Sequence, residues 1–247
     1  MRTNPSDVAQ IFDAELREGE AAALEELGPR YNVAPTQPIP VVVQRDDGRA
    51  IELHRWGLVP SWAESAAAGA RMINARAETV ATTPAFRASF LRRRCLIPAD
   101  GFYEWRREGK RKQPFLIHTP DDALLAFAGL WAPWRDPGTG QWLLSAAVVT
   151  TTANAIVGEL HNRMPVILGP EEWLLWIDPE LRDEGLLQSV LRPAAEDLLE
   201  LQPVSTLVNN ANNEGAELLL PPVARGAVAP EPEILTLFGQ ASRQAPG

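Results

Sequence analysis

The 247 residues carry 45% hydrophobic and 22% charged side chains, a formal net charge of −9 and a single cysteine, Cys95. Such a composition fits a globular chain with a sizeable core and excludes an internal disulfide framework. No apolar run approaches the length of a bilayer span, and the N-terminus lacks a charged-then-apolar signal pattern. A cytoplasmic protein without a membrane partner is therefore expected.

In chain order, Asn4-Pro5-Ser6-Asp7 reads as a helix start, followed by an apolar stripe of Val8, Ile11, Phe12 and Leu16. Residues 18–29 continue acidic and Ala-rich and stop at Gly28-Pro29. Short strands come next: 39–43 and 50–54 flank the hairpin signal Asp46-Asp47-Gly48, and 94–98, 101–105, 113–118, 124–131 and 142–150 follow. Lys110 and Gly138 fall in hairpin turns. Helix is expected again at 153–159, at 170–177, and over 184–200 with an interruption at Pro193. The pattern predicts a single α+β domain over residues 1–223, with a mostly antiparallel, barrel-like sheet flanked by helices. From residue 224 the composition turns to that of a disordered tail, relieved by the apolar island Ile234–Phe238. There is no internal repeat, and a monomer is expected.

The acidic total argues against a polyanionic partner, but its distribution does not. Between Arg71 and Lys112 stand eleven basic residues against four acidic ones. A basic middle between acidic flanks can hold a nucleic acid on one face, or it can be solvated strand edges and turns. Three scattered histidines and one cysteine offer no metal-ligand spacing, and no cofactor motif is present.

Five segments combine functional residue types with turn residues and aromatics: Arg30–Thr36, Trp56–Trp62, Ile73–Glu78, Arg94–Trp105 and Leu160–Leu168. In this order they resemble the signature blocks of the SOS-response-associated peptidase family. Val204–Glu217 is similar to that family's closing segment, so the resemblance runs from about Arg30 to Val223.

The resemblance implies binding of single-stranded DNA and covalent attachment to the ring-opened aldehyde of an abasic site. In the family an N-terminal cysteine, exposed by loss of the initiator Met, makes that bond. Its α-amine condenses to an imine and its thiol closes a thiazolidine. The family name also implies a peptidase activity of the same cysteine. The implied catalytic residues are Glu104 for proton transfer, His161 for protonating the departing sugar oxygen, and Asn74 for bonding the reacting N-terminus. Arg76, Arg163 and Thr150 are the implied contacts to the DNA backbone, with Trp62 stacking on a base or filling the abasic gap.

Each assignment has a plainer counterpart. Alternation alone would put Glu104 in solvent between Tyr103 and Trp105, and a lone His or Asn is commonly a turn residue. Any tryptophan can be core. His54 and His118 are read as core or turn residues, and Cys95 as a small buried hydrophobe in an apolar strand.

The chain departs from the family at its start. The family opens Met-Cys-Gly-Arg followed by Tyr or Phe, whereas this sequence opens Met1-Arg2-Thr3-Asn4 directly at a helix. A missing leading segment of several residues is expected, encoded upstream of Met1. Without it the chain reads as a non-covalent single-stranded-DNA-binding module. A hydrolase of small substrates through Glu104 and His161 is a further alternative.

Overall fold

The computed structural model describes residues 1–109 and 111–222. Lys110 and the tail from residue 224, with its island Ile234–Phe238, lie outside the described residues.

The first helix begins where its capping signal stands. Asn4 accepts a hydrogen bond from the Ser6 amide at 2.9 Å, and Pro5 opens α1 (Pro5–Phe12). Asp13, at φ +46°, breaks the helix, and α2 (Glu18–Leu27) follows and stops at Gly28.

β1 (Pro38–Arg45) and β2 (Gly48–Trp56) pair antiparallel, with Arg45 opposite Gly48 across the Asp46-Asp47 turn. Then come β3 (Asn74–Arg76), α3 (Arg87–Arg92) and β4 (Arg94–Ala99). β5 (Phe102–Glu108) and β6 (Arg111–His118) form a second hairpin; β7 (Leu125–Arg135) and β8 (Trp142–Thr152) form a third. The chain continues through α4 (Ala155–Gly158), β9 (Arg163–Pro165), α5 (Pro170–Ile177), α6 (Glu184–Ser189) and β10 (Glu200–Pro203).

Strands β2, β1, β4, β7 and β8 are neighbours in that order, and β8 returns to β2 through parallel pairing at Arg55–Ser145 and Trp56–Ala146. The result is a closed five-stranded barrel, in keeping with the mostly antiparallel, barrel-like sheet expected from sequence. Alternation along the strands divides the core in two. Val42, Ile51, Leu96, Ala128 and Val149 face outward and meet Val8, Phe12, Phe90, Trp176 and Leu187 from the helices. Val41, Val43, Cys95, Ile97, Ala146 and Val148 fill the interior. That interior is crowded: a Cβ on Gly129 would lie 2.7 Å from the Cys95 sulfur. Burial pushes the Cys95 thiol pKa well above its ordinary value, so Cys95 is an inert core side chain.

β8 organises the remaining pieces. One of its edges takes β2 and then β3, the other β7 and then β9. A separate three-stranded sheet, β10-β6-β5, packs alongside, with Phe102 edge-to-face on Phe127 at 5.8 Å between ring centres.

The helix expected over 184–200 is corrected. α6 ends at Ser189, residues 196–198 make one 3-10 turn, and Glu200–Pro203 pairs antiparallel with β6. Pro193 supplies no amide hydrogen and disfavours helix in the residue before it. The partner that turns 200–203 into a strand is more than eighty positions away in sequence, beyond the reach of any local pattern.

Candidate proton-transfer site

A strand of the smaller sheet and a turn leading into the barrel's β9 bring the central pair together. Glu104 lies in mid-β5, and His161 sits in the turn between α4 and β9. Its Nδ1 lies 3.5 Å from Glu104 Oε1. The Glu104 side chain is only 23% exposed, against 49% for His161. Burial raises the Glu104 pKa above the ordinary carboxylate value, partly opposed by His161 and by the Trp105 amide. The placement is therefore neither the solvated strand position that alternation alone gives nor a sealed core site. A partly sheltered carboxyl beside an accessible imidazole can pass a proton to a substrate that reaches the imidazole.

Residues on both sides hold this pair. Tyr103, pointing to the other face of β5, donates to the Tyr31 carbonyl oxygen at 2.8 Å, and Trp105 Nε1 donates to Asn209 Oδ1 at 2.6 Å. Arg106 stacks over Phe115 at 4.6 Å and pairs with Glu159 at 3.3 Å. The segments Arg30–Thr36 and Val204–Glu217 are joined here. Buried Asn32 donates from Nδ2 to the carbonyls of Val208, Asn210 and Asn213, and Glu214 accepts from the Tyr31 and Asn32 amides and from Arg30.

The strip β3-β8-β9 carries the other candidates. Asn74 stands opposite Val148 and Arg76 opposite Thr150 in the parallel β3–β8 pairing; both are exposed, with Ala75 buried between them. Thr150 is buried. Arg163 does not project freely: Nη1 and Nη2 pair with both oxygens of Glu78 at 2.7 and 3.0 Å, and Nη2 also donates to the Thr150 carbonyl at 2.5 Å. Glu78 belongs to a segment the sequence singles out, yet its role depends on a partner 85 positions away and leaves no local signal.

Trp62 lies on a separate loop and is 63% exposed, which removes the core alternative. That loop is fixed at its root. Gly57, at φ +120°, donates to Ala146, and a Cβ there would meet the Gly69 carbonyl oxygen at 2.5 Å. Ser145 Oγ accepts the Val59 amide at 2.8 Å, and Trp134 donates to the Ala63 carbonyl.

The other histidines sit as buried residues. His54 Nε2 meets Glu52 at 3.0 Å and its ring packs edge-on against Trp131; His118 Nδ1 meets the Thr119 carbonyl oxygen. The Met1 amine donates to the Arg30 carbonyl oxygen at 2.5 Å, and burial lowers its pKa against the opposing pull of Asp100. Among the described residues, no His/Cys/Asp/Glu cluster is placed to hold a metal ion, and no helix is long and apolar enough to cross a membrane.

The basic middle is less uniform than its linear count. Arg94 is buried and donates to the backbone carbonyls of Phe90, Trp176, Asp178 and Leu181. Arg87 and Arg92 stand on α3, while Arg107, Arg111 and Lys112 stand on the β5–β6 hairpin that also bears Glu104.

The profile of the family described as SOS response associated peptidase (SRAP) matches residues 1–211. The chain belongs to the SRAP family. Among its relatives, abasic site processing protein YoqW of Bacillus subtilis is 42% identical over 195 residues, covering 78% of this chain and 87% of that protein. Abasic site processing protein YedK of Escherichia coli is 32% identical over 196 residues, covering 78% and 84% respectively. In solved structures, a protein from Bacteroides thetaiotaomicron superposes with a TM-score of 0.80 at 26% identity, covering 90% of this chain and 97% of that one. The SRAP relationship thus accounts for both the ordered sequence blocks and the barrel.

Proposed function

We propose that this SRAP protein processes abasic sites in single-stranded DNA, with Glu104 and His161 as its proton-transfer pair. The carrying observation is their 3.5 Å approach in a half-sheltered position, together with the raised Glu104 pKa. The names of the SRAP relatives support abasic-site processing.

The chemistry follows from the aldehyde. An abasic sugar rests mainly as a closed hemiacetal. Proton delivery to its ring oxygen, with removal of the hydroxyl proton at C1, opens it. An α-amine then adds to C1, water leaves, and an imine forms. A thiol on the same residue adds across the imine and closes a thiazolidine, so one water is lost overall. His161 is the accessible partner for the sugar oxygen, and Glu104 holds or takes the proton behind it. Asn74 orients the attacking amine. Exposed Arg76 meets a phosphate, Thr150 and Arg163 line the backbone path, and Trp62 offers a face for a base. Cys95 cannot supply the thiol, being internal and buried. Met1 has an α-amine but a thioether side chain, so thiazolidine closure requires a cysteine at the N-terminus. The peptidase activity is assigned to the same cysteine.

The test uses the chain carrying Met-Cys-Gly-Arg-Phe ahead of its present first residues, and a single-stranded oligonucleotide with one abasic site. Glu104→Ala and His161→Ala should each slow crosslinking by about 10²-fold, with affinity for undamaged DNA little changed. Crosslinking at the parent rate in both variants would overturn the site assignment.

A further inference from the structure

We propose that Glu78 is a positioning residue: it clamps Arg163 flat against β8 and thereby holds His161 in register with Glu104. The clamp spans three strands. Glu78 follows β3, Thr150 lies in β8, and Arg163 begins β9. The guanidinium meets both carboxylate oxygens of Glu78 at 2.7 and 3.0 Å, then the Thr150 carbonyl at 2.5 Å and its hydroxyl at 3.3 Å. A planar fork satisfied on two sides has one orientation, which a lysine could not reproduce. Arg163 also holds the pair's Glu78 carboxyl below the ordinary carboxylate range.

The link to the site runs through Arg163's own backbone. Its amide donates to His161 Nδ1 at 3.2 Å, and its carbonyl oxygen lies at the same distance from that nitrogen. A neutral imidazole accepts the amide hydrogen at Nδ1 and keeps its own proton on Nε2, the outer nitrogen. A protonated imidazole turns Nδ1–H to the carbonyl oxygen and to Glu104. Among the described residues, Glu104 from β5 faces the ring, and Arg106 of the same strand pairs with Glu159. A rotation of the Arg163 backbone would therefore change which ring nitrogen holds the proton. Glu78 is 48% exposed, so its ion pair adds little to stability and its effect is on orientation.

The proposal rests on the reading that Glu104 and His161 transfer protons, and its test separates the two. In Glu78→Gln and Arg163→Lys of the chain carrying the added N-terminal cysteine, the crosslinking rate at saturating abasic oligonucleotide should fall about 10-fold or more, the scale of small misalignments. In Glu78→Gln, which leaves every proposed DNA contact in place, the half-saturating concentration should hold within about 2-fold, and the pH profile should move. The ¹⁵N shifts of the His161 ring should report an Nε2–H tautomer in the parent and a mixture in both variants. This signal needs no substrate, so it decides the clamp even if abasic DNA proves inert, which would sink the functional reading alone. An unchanged ring signature overturns the clamp. So does a loss in Glu78→Gln confined to DNA affinity, the result expected if Glu78 only presents Arg163 to a phosphate.

Discussion

Arg94 and Glu104 are both charged groups withdrawn from water, and they are handled in opposite ways. Arg94 is buried, has no ion-pair partner among the described residues and donates to four carbonyls, yet burial still lowers its pKa to about 10. It ties α5 and the turn after it to β4. Arg94→Ala leaves those carbonyls without donors and should cost about 3 kcal/mol or more, measured by urea denaturation. A loss below about 1 kcal/mol would mean that the network is no stronger than a surface pair. Glu104 is compensated only in part, by His161 and the Trp105 amide. Its raised folded pKa means that the native state holds the proton after the unfolded chain has lost it. Stability contributed by this group is therefore full below the ordinary carboxylate range and is lost as pH rises through the raised value. Glu104→Gln should flatten the fall in stability over that window, and an identical pH slope in both proteins would contradict the assignment.

At the scale of elements, the local signals were reliable where the determinants are local. The Asn4-Pro5 start and the strands around Asp46-Asp47-Gly48 follow from capping, alternation and turn chemistry within a few residues. β10 and the Glu78 clamp were not legible, because each is made by a partner far along the chain. The Glu104–His161 pair was legible through its signature segments, although alternation alone placed Glu104 in solvent. Arg163 was singled out as a DNA contact, but its pairing with Glu78 left no local signal. The barrel interior is similarly a matter of approach across strands. Gly129→Ala forces a methyl against Cys95 and Ile97 and should cost about 1–3 kcal/mol, read from the denaturation midpoint. A neutral effect would show that β4 and β7 can separate without penalty.

Across the whole molecule, a net charge of −9 coexists with a locally basic hairpin on the strand bearing Glu104. The protein should bind single-stranded oligonucleotides more tightly than duplex, with affinity falling as salt rises. Arg76→Ala should weaken binding and flatten the salt slope; binding indifferent to salt would remove the DNA reading. The intact mass of the product formed with an abasic single-stranded oligonucleotide bears most directly on abasic-site processing. For the chain carrying the N-terminal cysteine, the account predicts an adduct equal to protein plus oligonucleotide less one water. The adduct should survive denaturation without borohydride, map to that cysteine, and be absent with undamaged DNA. No adduct, or one attached through a lysine or Cys95, would contradict it.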